Sequence, residues 1–242
     1  MEKVLRQFKQ QQHEENGSAM DMEIVGGKKQ TTEVIVSGSS VLGCIYNGGV
    51  MMTADTLLSY GSMLRFQSVQ RLRAVNEHTI IGASGEYSDF QHIVEDIKAK
   101  NEDVKKEKEP REVFNYLSEV MYSKRNKFDP YYNKCVVAGF KDGKPFLGCV
   151  DYIGTNFTSY IVGTGFGQHM ALPIMRNFYQ SKKDIKDISE NDARSLLEKC
   201  MLVLSYRDAR TKNKVQFAKV DANGVSISDP VELKGEWDMP GN

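Results

Sequence analysis

Apolar residues recur along this chain with two different periods, and the changes between them mark out its elements. Two apolar runs, Val41–Tyr46 and Val50–Ala54, flank Asn47-Gly48-Gly49. Asn and Gly accept the positive φ angles of a tight turn, so this stretch predicts a β-hairpin. Further strands are predicted over Leu72–Val75 and Thr79–Ala83, the second ending on Ser84-Gly85, where a backbone N–H can face a cleft with no Cβ in the way. From Ser88 the period lengthens: Phe90, Ile93, Val94 and Ile97 share one helical face. That helix runs out in K-N-E-D-V-K-K-E-K-E-P, a charge run that reads as a solvated helix end and loop. Pro110 opens a second helix with Phe114, Leu117, Val120 and Met121 as its apolar stripe.

The next block is again of strands, over Cys135–Phe140, Phe146–Val150 and Ser159–Val162, with Lys141-Asp142-Gly143-Lys144 turning between the first two. G-T-G-F-G (Gly163–Gly167) then leads into a helix over Met170–Tyr179. No lysine follows these glycines and their spacing fits no phosphate-binding loop, so they read as a tight strand-to-helix turn. The last helix opens on Ser189 as N-cap with Asp192 three residues on, an approximate capping box. Its stripe is Ala193, Leu196, Leu197, Cys200, Met201 and Leu204, and it ends in Y-R-D-A-R-T. Val215–Val220 and Val225–Ile227 form a closing hairpin. The order is strands, two helices, strands, two helices, strands. Two antiparallel sheets packed face to face, with a helix pair on each outer side, bury every stripe. The expected fold is therefore an α+β, four-layer αββα sandwich in one domain.

Composition narrows the setting. A chain of 242 residues is long enough for one large core. Thirty-two basic and 32 acidic side chains cancel, leaving no global field to attract nucleic acid or an anionic membrane. No apolar run approaches the length of a membrane span, and the N-terminus lacks the apolar block of a secretory signal. The four cysteines, Cys44, Cys135, Cys149 and Cys200, lie in apolar runs without C-x-x-C spacing. They read as buried, reduced thiols, which places the chain in cytoplasm and nucleus, with metal binding as the alternative. Residues 1–30 are polar and Gln-rich, with Val4, Leu5 and Phe8 as one amphipathic turn.

Several strings carry a family resemblance. The stretch E-V-I-V-S-G-S-S-V-L-G-C-I-Y-N-G-G-V-M-M-T-A-D, the later T-I-I-G-A-S-G and the Y-R-D-A-R-T of Tyr206–Thr211 resemble a proteasome beta subunit, over about Thr31 to Asp238. S-Y-G-S-M-L-R-F (Ser59–Phe66) narrows this to the seventh, non-catalytic type of subunit. The resemblance implies an N-terminal-nucleophile sandwich, in which a Gly precedes a Thr whose hydroxyl attacks and whose freed α-amine is the base. Carried over position by position, the nucleophile falls on Ser39, the carboxylate on Asp55, the lysine on Arg71 and the oxyanion glycine on Gly85. Asp208 and Thr211 stand at further site positions, Thr211 in place of a serine. The resemblance also implies a propeptide over residues 1–30, removed at Gln30–Thr31, a sandwich domain over 31–234 and a tail over 235–242. T-T-E-V-I-V-S-G (Thr31–Gly38) matches an extension that such subunits retain.

These departures set the chemical expectation. Arg71 keeps a positive charge, but its guanidinium does not exchange a proton near neutral pH. Ser39 lacks the methyl that fixes a threonine's χ1. A chain beginning at Thr31 holds the nitrogen of Ser39 in a peptide bond, so the base is absent and no catalytic residue is expected. Carboxylates and hydroxyls at strand and helix ends also commonly cap turns. The expected role is a non-catalytic subunit of the proteasome core, without cofactor or metal, contacting other beta subunits, the alpha ring and, through Trp237 and Asp238, the opposite beta ring. Two other readings stand beside it: a hydrolase that self-cleaves at Gly38-Ser39, and an unrelated sandwich-type binding module.

Overall fold

The computed structural model describes residues 33–102 and 108–235. The processing positions Gln30 and Thr31 and the tail residues Trp237 and Asp238 lie outside the described residues.

The first sheet is built from β1 (Val36–Gly38), β4 (Leu58–Tyr60), β5 (Met63–Phe66), β6 (Leu72–Asn76), β7 (Thr79–Glu86), β8 (Asn133–Lys141), β9 (Lys144–Val150) and β10 (Asn156–Thr158). Its strand order is β10-β9-β8-β7-β1-β4-β5, with β6 also on β7. The second sheet contains β2 (Val41–Tyr46), β3 (Gly49–Asp55), β11 (Ile161–Gly163), β12 (Lys214–Asp221), β13 (Gly224–Ile227) and β14 (Val231–Glu232). Its order is β11-β2-β3-β12-β13, with β14 on β12. All pairings among the described residues are antiparallel. Four α-helices complete the described residues: α1 (Tyr87–Glu102), α2 (Pro110–Asn126), α3 (Gly167–Gln180) and α4 (Glu190–Arg207).

Period-2 alternation explains the layers, since successive strand residues point to opposite faces. In β8, Val136 and Ala138 enter the core between the sheets while Cys135 and Val137 pack under α1 and α2. In β3, Val50, Met52 and Ala54 enter that same inter-sheet core, whereas Met51 turns to the α3 and α4 side. Both faces of each central strand are therefore covered, and the result is the αββα sandwich expected from the order of elements. Ser189 caps α4 as predicted: its hydroxyl accepts the Asp192 N–H at 3.1 Å, and the Asp192 carboxylate accepts the Ser189 N–H at 3.1 Å.

Two expectations need correction. The single strand predicted over Ser159–Val162 is a crossing between sheets. β10 pairs with β9 in the first sheet, and β11 pairs with β2 in the second. The intervening Ser159 N–H donates to the Leu147 carbonyl at 3.1 Å, while the Tyr160 carbonyl accepts from the Ile45 N–H at 2.9 Å. The helix after the glycine-rich turn also begins at Gly167, three residues before the expected start at Met170. The Ser40 hydroxyl accepts the Gly167 N–H at 2.8 Å, satisfying one of the donors a helix start leaves open.

Candidate functional site

The positions singled out in the sequence converge on one end of the sandwich. Ser39, Gly85 and Asp208 line a cleft of about 680 Å³, together with Ser37, Gly38 and Arg210. Asp55 and Arg71 lie beneath it, each about 1 % exposed. Thr211 joins the group through Asp208.

Arg71 organises the floor. Its Nε–H donates to the Asp55 carbonyl at 3.1 Å. One terminal nitrogen reaches the carbonyls of Ser39 at 3.0 Å and Ala83 at 3.3 Å. The other reaches the Ser40 carbonyl at 3.0 Å and the Asp55 carboxylate. A guanidinium has five N–H groups, and here each has an acceptor. None is left for the Ser39 hydroxyl. A lysine has three donors from a single point and cannot span the same four carbonyls and carboxylate. Burial pushes the Asp55 carboxyl up, against the charge of Arg71 and the N–H groups of Lys212 and Leu57, which pull it down.

Arg71 also explains Gly38. A Cβ at residue 38 would lie 2.5 Å from the Arg71 Cδ, inside any contact distance. The glycine that the family pattern places before a nucleophile is needed here to let the arginine pass.

Ser39 has a carboxylate partner. Its hydroxyl donates to the Asp208 carboxylate. That carboxylate also accepts the Thr211 hydroxyl at 2.8 Å and the Arg210 N–H at 2.9 Å. Asp208 is the C-cap of α4, and its own N–H donates to the Leu204 carbonyl at 2.8 Å. The three bonds hold the carboxylate in the turn after the helix, the structural use that such residues commonly have.

The strand before Ser39 is the feature that sequence reading missed. β1 lies between β4 and β7, paired on both edges: Ser37 opposite Ser59 and Glu86, Gly38 opposite Leu58 and Gly85. Glu86 clamps its start, one carboxylate oxygen accepting the N–H groups of Ile35 at 2.6 Å and Val36 at 3.0 Å. The amide nitrogen of Ser39 follows directly on this strand, and a peptide nitrogen has its lone pair delocalised and takes up no proton. Gly85 faces this strand, but its need for glycine lies elsewhere. Its φ is +97°, and a Cβ there would sit 2.0 Å from the Tyr132 carbonyl oxygen.

The cysteines play no part in the site. All four are free and buried. Burial pushes the thiols of Cys44, Cys149 and Cys200 up to about 12, and raises that of Cys135 as well, so none is a thiolate ready to bind a metal. Among the described residues no group of three or more His, Cys, Asp or Glu could hold a metal ion, and no helix is long and apolar enough to cross a membrane.

Comparison with known proteins fits this geometry. The family model described as "Proteasome subunit" matches residues 35–220. The chain is 42% identical over 216 residues to the proteasome subunit beta type-4 of Arabidopsis thaliana, covering 87% of this chain and 86% of that protein. It is also 42% identical over 216 residues to the beta type-4 subunit of Dictyostelium discoideum, covering 86% and 82%. With the proteasome subunit beta type-7 of Saccharomyces cerevisiae it shares 37% identity over 221 residues, covering 86% and 83%. A two-sheet, four-helix sandwich, the six converging positions and these matches lead to one conclusion: the chain belongs to the proteasome beta-subunit family.

Proposed function

We propose that the chain is a non-catalytic, structural subunit of the proteasome core, serving protein degradation by its place in the ring rather than by cleaving bonds. The observation that carries this reading is β1. It fills the space between β4 and β7 and leads directly into the peptide nitrogen of Ser39, while Arg71 spends all its donors on carbonyls and Asp55. An N-terminal nucleophile needs a free amine as base, and this arrangement supplies none. Ser39→Ala should therefore leave every peptidase activity of the assembled particle within about twofold of wild type, and intact mass should show a chain beginning upstream of Ser39. Selective loss of one activity in the variant, or a mature chain starting at Ser39, would instead assign a self-cleaving hydrolase.

In the same reading, residues 1–30 form a propeptide cut at Gln30–Thr31 by a neighbouring active subunit, because Ser39 is too far downstream to make that cut itself. The partners are other beta subunits, the alpha ring and the opposite beta ring, in cytoplasm and nucleus, within ATP- and ubiquitin-dependent degradation. Trp237 and Asp238 are the inter-ring contact. A buried aromatic anchor of this type contributes about 2 kcal/mol or more. Deleting residues 236–242 should leave the subunit folded and make half-particles accumulate on native gels. Full particles forming at the normal rate would remove the inter-ring role.

A further inference from the structure

Phe128 combines two features that a free surface does not favour. It follows the C-cap of α2, Lys127, and its ring is 88% exposed, the most of any large apolar side chain among the described residues. Its φ is +55°. The Phe128 N–H donates to the Arg125 carbonyl at 3.1 Å and the Asp129 N–H to the Lys124 carbonyl at 3.1 Å. This is the six-to-one and five-to-two pattern of a Schellman helix end, in which the left-handed residue is usually glycine. A phenylalanine there has both a strained backbone and an apolar ring in water. Fold stability alone selects glycine at this position.

The surroundings suggest what the ring is for. The segment 124–129, K-R-N-K-F-D, carries three cations and one carboxylate. Lys124 is held by Asp129 at 2.9 Å and lies over the Tyr131 ring at 4.7 Å. Arg125 rests against the Tyr122 ring at 6.0 Å, and Tyr122 is itself 54% exposed. Both Arg125 and Lys127 are exposed. An exposed aromatic beside cations matches the composition of an interface anchor, where aromatics and arginine concentrate and the rim sets orientation by charge.

We infer that Phe128 is an anchor that inserts into an apolar pocket, rimmed by carboxylates, on a neighbouring subunit of the core. The inference rests on the chain being a core subunit, and it adds a surface just beyond the C-terminus of α2, on the segment that leads into β8. Strain tolerated at a helix end is thereby tied to assembly.

The test uses full-length chains incorporated into core particles. Wild-type and Phe128→Gly chains carrying different tags are co-expressed, and their ratio in purified particles is compared with their ratio in total protein. Glycine suits the left-handed site, so the variant cannot lose incorporation by misfolding; its midpoint of thermal unfolding should equal or exceed that of wild type. We expect at least fivefold depletion of Phe128→Gly from particles, an intermediate value for Phe128→Leu, and depletion of a Arg125→Glu/Lys127→Glu chain that lessens in a partner charge-reversal. A photo-crosslinker at position 128 should capture one neighbouring subunit through residues that include a carboxylate. Equal incorporation of Phe128→Gly, or no crosslink in intact particles, would overturn the anchor. Failure of the wild-type chain to enter particles would overturn core membership instead, so the two outcomes are distinct.

Discussion

Arg71→Met should destabilise the full-length chain by about 3–5 kcal/mol, the range for breaking a buried ion pair by removing one partner. The substitution leaves the Asp55 carboxyl buried without its cation, and frees the carbonyls of Ser39, Ser40, Asp55 and Ala83 at once. Each buried acceptor left unpaired costs about 1–3 kcal/mol. Arg71→Lys restores a charge but not the fork, and should still cost about 2 kcal/mol on the same grounds. Chemical unfolding of the three proteins measures this directly. Adding Asp55→Asn to Arg71→Met should recover part of the loss, because residues in contact are not additive. If Arg71→Lys is as stable as wild type, the five-donor account is wrong and Arg71 is an altered catalytic lysine and nothing more.

Gly85→Ala is expected to be about as severe. A left-handed φ costs a side chain about 1–2 kcal/mol, and overpacking adds about 1–3 kcal/mol. The built Cβ meets a main-chain carbonyl, Tyr132 O at 2.0 Å, which cannot rotate away as a side-chain tip does. The total of about 3 kcal/mol corresponds to a midpoint lowered by roughly 6–12 °C for a chain of this size. A glycine retained only to present an oxyanion N–H would give a different result: an unchanged midpoint. Thermal unfolding of the variant separates the two.

The core was legible from the sequence because it rests on periodicity. The stripes predicted for three of the helices (Val120 excepted, which is only half-buried), the Asn47-Gly48 hairpin and the two-faced burial of β3 and β8 follow from spacing. What was hidden depends on partners distant along the chain. β1 is three residues long and lacks a pattern of its own; only pairing with residues 58–60 and 85–86 makes it a strand. Arg71 was visible as a departure from the family's lysine. Its role was not, because its acceptors lie at residues 39, 40, 55 and 83. Asp208 and Thr211 were placed correctly at the helix end, and the hydroxyl of Ser39 joins them there. The crossing at Ser159-Tyr160 left no signal, since both halves are too short to show alternation.

The sheet order gives β1 the character of a tethered ligand. The hairpin of β4 and β5 joins the first sheet only through β1, so these three residues hold a place that an extended peptide would otherwise compete for. A free peptide competes at its bulk concentration. A strand attached to its site by the next residue acts at an effective concentration above the millimolar range that short flexible linkers reach. Displacing it would also detach β4 and β5 from their neighbours. The gap between β4 and β7 is therefore filled by its own chain at any concentration of a competing extended peptide.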